Sequence, residues 1–356
     1  MIVSIIYFIF ILGLIVLVHE FGHFIFAKMF KIHVYEFSIG MGPVIYSTKK
    51  RREKKIKAKK KVSETIYCIR AIPVGGFVQL AGEGLEEDKN VKKENLMQSK
   101  PVWQRFLVMF FGAGNNFILA ILILFLSALI FGSPDLSTNI PYVIPDSPAA
   151  LVGLETGDEI ISIAGKRTKT LDDVQLYLTI QGDQTTEFEV KRDGEVYTYE
   201  VTPLTGEEKE EKQYGFGIQF TNTLEKGFLK SLQYGFQKFY SISRQVFITL
   251  KELFIGGVSL SQLSGPVGIY TAVDMTRSMG WYSILNFIAL LSINVGIMNL
   301  IPFPAFDGGR ILFLIIEKIK GKPVKAETEN LIHNIGFFLL LALLIYVTFN
   351  DILRLF

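Results

Sequence analysis

The sequence predicts a polytopic α-helical membrane protein of about four transmembrane helices, with a membrane-associated β-hairpin and an inserted β-rich domain. Three observations predict it. Apolar residues make up 49% of the 356-residue chain, with 30 Phe among them, and the mean hydropathy is +0.35. Four apolar runs approach or exceed the roughly 20 helical residues that a hydrocarbon core requires. Charge is segregated as well: the net +3 conceals 18 Lys/Arg against 8 Asp/Glu from Lys28 to Arg105, and 8 against 18 from Asp135 to Lys226. Opposed blocks of this kind place the two segments on opposite faces of a bilayer.

Residues 1–30 make the first span, with the apolar run at 2–27. The run is hydrophobic like a signal peptide but has no basic n-region and no small-residue cleavage site, so it is expected to be retained. It contains His19-Glu20-Phe21-Gly22-His23. At helical spacing His19 and His23 project from one face, one turn apart. Two imidazoles so placed can take two positions on a tetrahedral Zn²⁺, and Glu20 beside them can serve as general base. The plainer alternative is a pair of interfacial histidines, but ionisable groups in an apolar span are costly unless they have a role there. The chain has a single cysteine, Cys68, and four histidines, His19, His23, His33 and His333. An internal disulfide is therefore excluded, and a zinc site must draw on imidazoles and carboxylates.

Residues 31–104 form a basic loop, including Lys49-Lys50-Arg51-Arg52 and Lys59-Lys60-Lys61, which the positive-inside rule assigns to the cytoplasm. Nucleic-acid binding is the other reading of such a run. Few aromatics interleave the charges, so a topology anchor against anionic lipid is favoured and no nucleic-acid partner is expected. Within this loop, residues 66–82 hold two β-prone runs flanking Pro73 and Gly75-Gly76, a hairpin signal. Buried by protein, such a hairpin could dip back into the bilayer and offer an edge to a substrate strand.

Residues 105–132 make the second span. It begins with small residues and two amides, Gly112-Ala-Gly-Asn-Asn116, a pattern read first as close helix packing. Residues 135–205 alternate short β-type runs with turns, and the helix-like stretch Leu171–Ile180 opens after Thr170 with Asp172 and Asp173 in its first turn. Pro145-Asp-Ser-Pro-Ala-Ala-Leu-Val-Gly-Leu154 followed by Gly157-Asp-Glu-Ile160 resembles a PDZ domain of the bacterial protease type, which implies a groove able to take a peptide tail by strand addition. A folded spacer with an unused groove is the alternative. Residues 206–280 are expected to hold a charged linker at 207–213, an amphipathic helix over Gly227–Phe254 on the outer face, and a turn at Ser264-Gly-Pro-Val-Gly268.

The third span, within 281–317, ends in Asn299-Leu-Ile-Pro-Phe-Pro-Ala-Phe-Asp307-Gly-Gly-Arg310. Asp307 is the only acid between Asp274 and Glu317, and at membrane depth it needs a cation, either Arg310 or a metal. Residues 330–350 make the fourth span, where His333 reads as a boundary residue.

Taken together, these residues resemble the site-2 proteases, intramembrane zinc metalloproteases, in their bacterial form with a PDZ-like domain between the second and third spans. The likeness rests on the HEFGH residues, Pro73-Val-Gly-Gly-Phe77, Gly114-Asn-Asn-Phe117, the PDZ-like segment, Gly265-Pro-Val-Gly-Ile269 and the Asn-Pro-Pro-Asp-Gly motif. Two positions depart from the family pattern: Phe306 stands where leucine usually precedes the Asp-Gly pair, and Gly114 where a proline is usual. The resemblance implies that His19, His23 and Asp307 hold one Zn²⁺ per chain while Glu20 is the catalytic base. It also implies that Asn294, Asn299, Gly75, Gly76 and Phe77 engage substrate. The implied activity is hydrolysis within or near the transmembrane segment of single-span membrane proteins, such as anti-sigma factors or signal-peptide remnants. The implied location is the bacterial inner membrane, multi-pass in the lipid bilayer, with the PDZ-like domain extracytoplasmic. A non-catalytic membrane scaffold and a metal transporter are the competing classes. The first would lack zinc, and the second needs several ion sites in series where this chain offers one cluster.

Overall fold

The computed structural model describes residues 2–49, 65–83, 91–204, 213–220, 224–256, 259 and 263–354. Most of the basic clusters at 49–61, and all but the last residue of the linker at 207–213, lie outside the described residues. The chain divides into two compact units, one of residues 1–123 and 261–356, the other of residues 124–260.

The first unit holds α1 (Ile2–Met29), β1 (Val34–Ser47), β2 (Ile66–Leu80) and most of α2 (Val102–Phe131), followed by α6 (Pro266–Ser278), α7 (Trp281–Leu300), α8 (Asp307–Lys320) and α9 (Ala326–Leu353). Among the described residues, α1, α2, α7 and α9 are the four helices long and apolar enough to cross a membrane. Ile11 and Ile15 of α1 pack with Val273 of α6 and with Ile284 and Ile288 of α7. Gly22 allows α1 to lie against α2 at backbone distance, since a Cβ there would collide with the Phe111 carbonyl.

The β segment differs from the expected hairpin. Residues 66–80 form one long strand, β2, whose partner is β1. The two pair antiparallel with repeated register shifts, and Phe37 and Ser38 each have two partners: Val78 and Tyr67 for the first, Phe77 and Cys68 for the second. Residues 36–39 therefore lie between 76–79 and 66–69, so the runs flanking Gly75-Gly76 embrace β1 instead of pairing with each other. The reason is chemical as well as topological. Arg70 donates to Ser38 Oγ at 2.8 Å and to Glu36 Oε1 at 2.6 Å, lacing the segments together. The alternation in Val34-Tyr-Glu-Phe-Ser-Ile39 was the sequence signal for β1.

Two further expectations change. Ser264-Gly-Pro-Val-Gly268 is the start of a helix and not merely a turn. Gly265 is the N-cap of α6 and Pro266 occupies a first-turn position, where its missing N–H costs nothing. The third span stops at Leu300, and α8 begins separately at Asp307, because the Pro302 and Pro304 rings interrupt the helix between them.

The second unit is built on a four-stranded antiparallel sheet in the order β5-β4-β6-β7, formed by Lys166–Arg167, Glu159–Ile163, Thr186–Arg192 and Glu195–Val201. A two-stranded sheet joins β3 (Tyr142–Val143) to β8 (Ile218–Gln219). The short helix α3 (Pro148–Val152) is N-capped by Ser147 and α4 (Leu171–Gln181) by Thr170. Phe188 and Val190 alternate inward along β6, and with Ile160, Ile163 and Val201 they form a core with Val174 and Leu178 of α4; a register shift lies between Ile160 and Ser162. Asp158, 1% exposed, receives two hydrogen bonds from Arg192, at 2.7 and 2.8 Å.

The amphipathic segment is one 28-residue helix, α5 (Phe228–Ile255). Two of the cations that interrupt its apolar pattern meet α4, where Lys238 binds Asp172 at 2.6 Å and Arg244 binds Asp173 at 2.8 Å. The opposite face leaves Leu229, Phe236 and Phe247 exposed.

Candidate metal centre

His19 and His23 point from α1 with ring centroids 4.9 Å apart. Asp307 arrives from 284 residues further along the chain, as the first residue of α8. Its position depends on the bend at 301–306, where Ala305 adopts φ 78°. That left-handed conformation costs a residue with a Cβ roughly 1–2 kcal/mol, so the surroundings must hold it.

Three atoms converge. Asp307 Oδ2 lies 3.1 Å from His19 Nε2 and 3.2 Å from His23 Nε2, and the two Nε2 atoms are 3.2 Å apart. Two ligands bound at zinc's usual length, about 2.0–2.1 Å in a tetrahedron, lie about 3.3–3.4 Å apart. The triangle matches that spacing to within a few tenths of an ångström. His23 Nδ1 donates to the Val108 carbonyl at 2.8 Å, which leaves a lone pair on Nε2. Asp307 Oδ2 is buried with no hydrogen-bond donor among the described residues. The Nε2 lone pair of His23 thus faces the Asp307 carboxylate with His19 Nε2 beside both, an arrangement that a bound cation would join. These residues fit a metal, and they leave one tetrahedral position open, as catalytic zinc sites do.

The alternative partner for Asp307 is engaged elsewhere, since Arg310 pairs with Glu83. Gly112 of α2 faces the cluster, where a Cβ would collide with the His23 imidazole. In that segment it is Gly112, more than Gly114, that lets the second span close on the site.

Glu20 lies on the same cavity of about 360 Å³ as the two histidines and Asp307. Its Oε2 accepts the Val78 N–H at 3.1 Å, so β2 orients the carboxylate. Phe77 lines this cavity, and so does Asn299, whose amide donates to the Val295 carbonyl of its own helix at 3.0 Å. Gly76 lies beside the Glu20 side chain, whereas Gly75, at φ 84°, packs near Met41. Asn294 is half-buried on α7 and is not among the cavity-lining residues. Sequence reasoning missed the backbone groups of Val78 and Val108, which carry no side-chain signature. It also missed His333, which is not a mere boundary residue: its Nδ1 accepts the Ala305 N–H at 2.9 Å.

Residues 7–343 match the profile of peptidase family M50. The chain belongs to that family. Similar proteins from Staphylococcus aureus strain MSSA476 (35% identical, covering 99% of each chain) and Clostridium perfringens strain 13 (36% identical, covering 95% of each) carry names that designate them, provisionally, as zinc metalloproteases. The regulator of sigma-W protease RasP of Bacillus subtilis strain 168 is 33% identical, with 99% of each chain covered. The staphylococcal and Bacillus alignments run over 439 and 430 positions, more than the 356 residues here, so those relatives hold residues with no counterpart in this chain. M50 peptidases are zinc-dependent, and this chain is a site-2-type zinc metalloprotease with a polytopic helical membrane architecture.

Proposed function

We propose that this M50 peptidase cuts single-span membrane proteins within or near their transmembrane segments, with His19, His23 and Asp307 as zinc ligands and Glu20 as general base. The observation that carries the reading is the convergence of His19 Nε2, His23 Nε2 and Asp307 Oδ2 in a triangle with edges of 3.1–3.2 Å. When bound there, zinc would supply a Lewis acid for the scissile carbonyl and acidify water to a pKa of roughly 7. The protein's own part is positional and protolytic. Glu20, oriented by Val78, takes a proton from water and delivers it to the departing amine. Asn299 and Phe77 face the same cavity and are the residues best placed to meet substrate.

A membrane helix must unwind before its amides can be attacked, and lipid cannot satisfy the groups this frees. Residues 76–80 pair with β1 on one side and lie beside Glu20, so a substrate strand added there would replace the lost bonds. Exposed Met41, Ile45 and Ile72 on the same sheet suit a segment that dips into lipid. The basic loop is placed in the cytoplasm and the acidic unit outside. There, the sheet and α4 act as a PDZ-like domain that admits substrates with shortened outer portions. The name of the Bacillus relative makes an anti-sigma factor the first substrate to try.

The test is E20Q in the full chain with a single-span reporter. Cleavage should fall by about 10²–10⁴, the usual worth of a positioned base, while about one zinc per chain is retained. Near-normal turnover would remove Glu20 from the mechanism, and absence of zinc from both proteins would favour the scaffold.

A further inference from the structure

We infer that His333 of α9 is a positioning residue for Asp307, holding the 301–306 bend in the one conformation that aims this carboxylate at the two imidazoles. The inference rests on reading Asp307 as a zinc ligand and goes beyond it, to what keeps that ligand in place.

Three observations meet at this point. The Ala305 N–H donates to His333 Nδ1 at 2.9 Å, across a sequence separation of 28 residues and from the bend to α9. Ala305 is the residue with φ 78°, two positions before Asp307. Gly336, one turn after His333 and on the same face, lies against Pro304, where any Cβ would collide with the proline. The fourth span therefore grips the bend at two successive residues, one by hydrogen bond and one by shape.

The imidazole is itself oriented. Because Nδ1 accepts the Ala305 N–H, the neutral ring carries its proton on Nε2. That nitrogen faces Glu329 Oε1 at 3.9 Å, one turn earlier on α9, and the Phe313 ring stands 5.6 Å from the imidazole. A carboxylate on the Nε2 side favours the tautomer that can accept on the other. Without the acceptor, the Ala305 N–H loses its partner and the cost of its left-handed backbone is no longer offset by that bond. The residue would relax to negative φ and carry Asp307 away from His19 and His23.

Zinc release decides the matter. Full-length protein in detergent, loaded with zinc, is mixed with excess 4-(2-pyridylazo)resorcinol, and the rate of colour formation is followed for wild type, H333L, H333N, H333Q and D307A. Asparagine hangs its carbonyl oxygen from Cγ as histidine hangs Nδ1, whereas glutamine places it one bond further out. H333L and H333Q should release zinc roughly tenfold faster than wild type, and H333N should stay within about twofold, as expected when the support that positions a ligand is lost or rescued. A general packing defect would not separate Asn from Gln. Equal rates for H333N and H333Q overturn the proposal, and so does a wild-type rate for H333L where D307A has lost its metal. D307A releasing zinc at the wild-type rate would instead overturn the ligand reading. Should H333L fail to fold, the Asn and Gln variants still decide.

Discussion

Glu20 and Val78 are joined by a hydrogen bond from the Val78 N–H to the Glu20 carboxylate, 3.1 Å long. The bond connects the side chain proposed for proton transfer to the strand proposed to meet substrate. It spends on the first span an amide that β2 does not use toward β1, so base and strand keep a fixed relation.

V78P tests that relation. Proline lacks the N–H and is tolerated where a strand donates nothing to its neighbour. Turnover should fall by about tenfold, as for loss of a group that orients a catalytic one, with zinc content unchanged. Wild-type turnover would show that Glu20 is oriented without Val78.

G112A introduces a methyl group into the space of the His23 imidazole. Overpacking of this kind costs about 1–3 kcal/mol, and here it displaces a ligand. Zinc per chain, measured by plasma emission spectrometry, should drop well below that of wild type. G114A meets chiefly the Phe110 and Phe111 rings of its own helix and should retain metal. The opposite order would place the close approach elsewhere in α2.

R310M removes the guanidinium paired with Glu83. Because that cation is not what neutralises Asp307, zinc content should be unaffected. Loss of zinc in R310M comparable to that in D307A would restore Arg310 as the partner of Asp307.

The acidic unit carries its own pH signature. Burial would raise the Asp158 carboxyl, but hydrogen bonds from Arg192 and from the Glu155 N–H outweigh it and hold the group below the ordinary carboxylate range. A carboxylate with a lowered folded pKa contributes stability above its unfolded value of about 3.9 and loses it as pH falls through the lower folded value. Protection of the β6 amides in the whole protein, taken relative to their intrinsic exchange rates, should therefore fall in wild type as the pH drops below about 4. D158A should be less protected at neutral pH, by about 2 kcal/mol, and should show no such acid-dependent step. A parallel pH dependence in the two proteins would remove Asp158 as its origin.

Much of the molecule was legible in the residues themselves. The expectation of four spans follows from apolar run length, a local property that lipid enforces, and α1, α2, α7 and α9 are long and apolar enough to cross a membrane. His19 and His23 are four residues apart on one helix, so their shared face needs no tertiary information. The amphipathic stretch was readable as a helix, yet which surface took its polar face was not. Lys238 and Arg244 find Asp172 and Asp173 some 70 residues away, and periodicity does not encode the partner of a charge.

By itself the sequence determined the membrane class, the charge asymmetry, the paired imidazoles and the isolation of Asp307 among apolar neighbours. Only the tertiary structure decided that Asp307 meets those imidazoles, that Arg310 turns to Glu83, that residues 66–69 and 76–79 enclose β1, and that His333 accepts the Ala305 N–H. Each of these depends on pairing between distant stretches of chain, or on backbone N–H and C=O groups that nearly every residue possesses. Side-chain identity specifies local shape and polarity. Which backbone amide a carboxylate or imidazole finds is set by where packing brings the helices together.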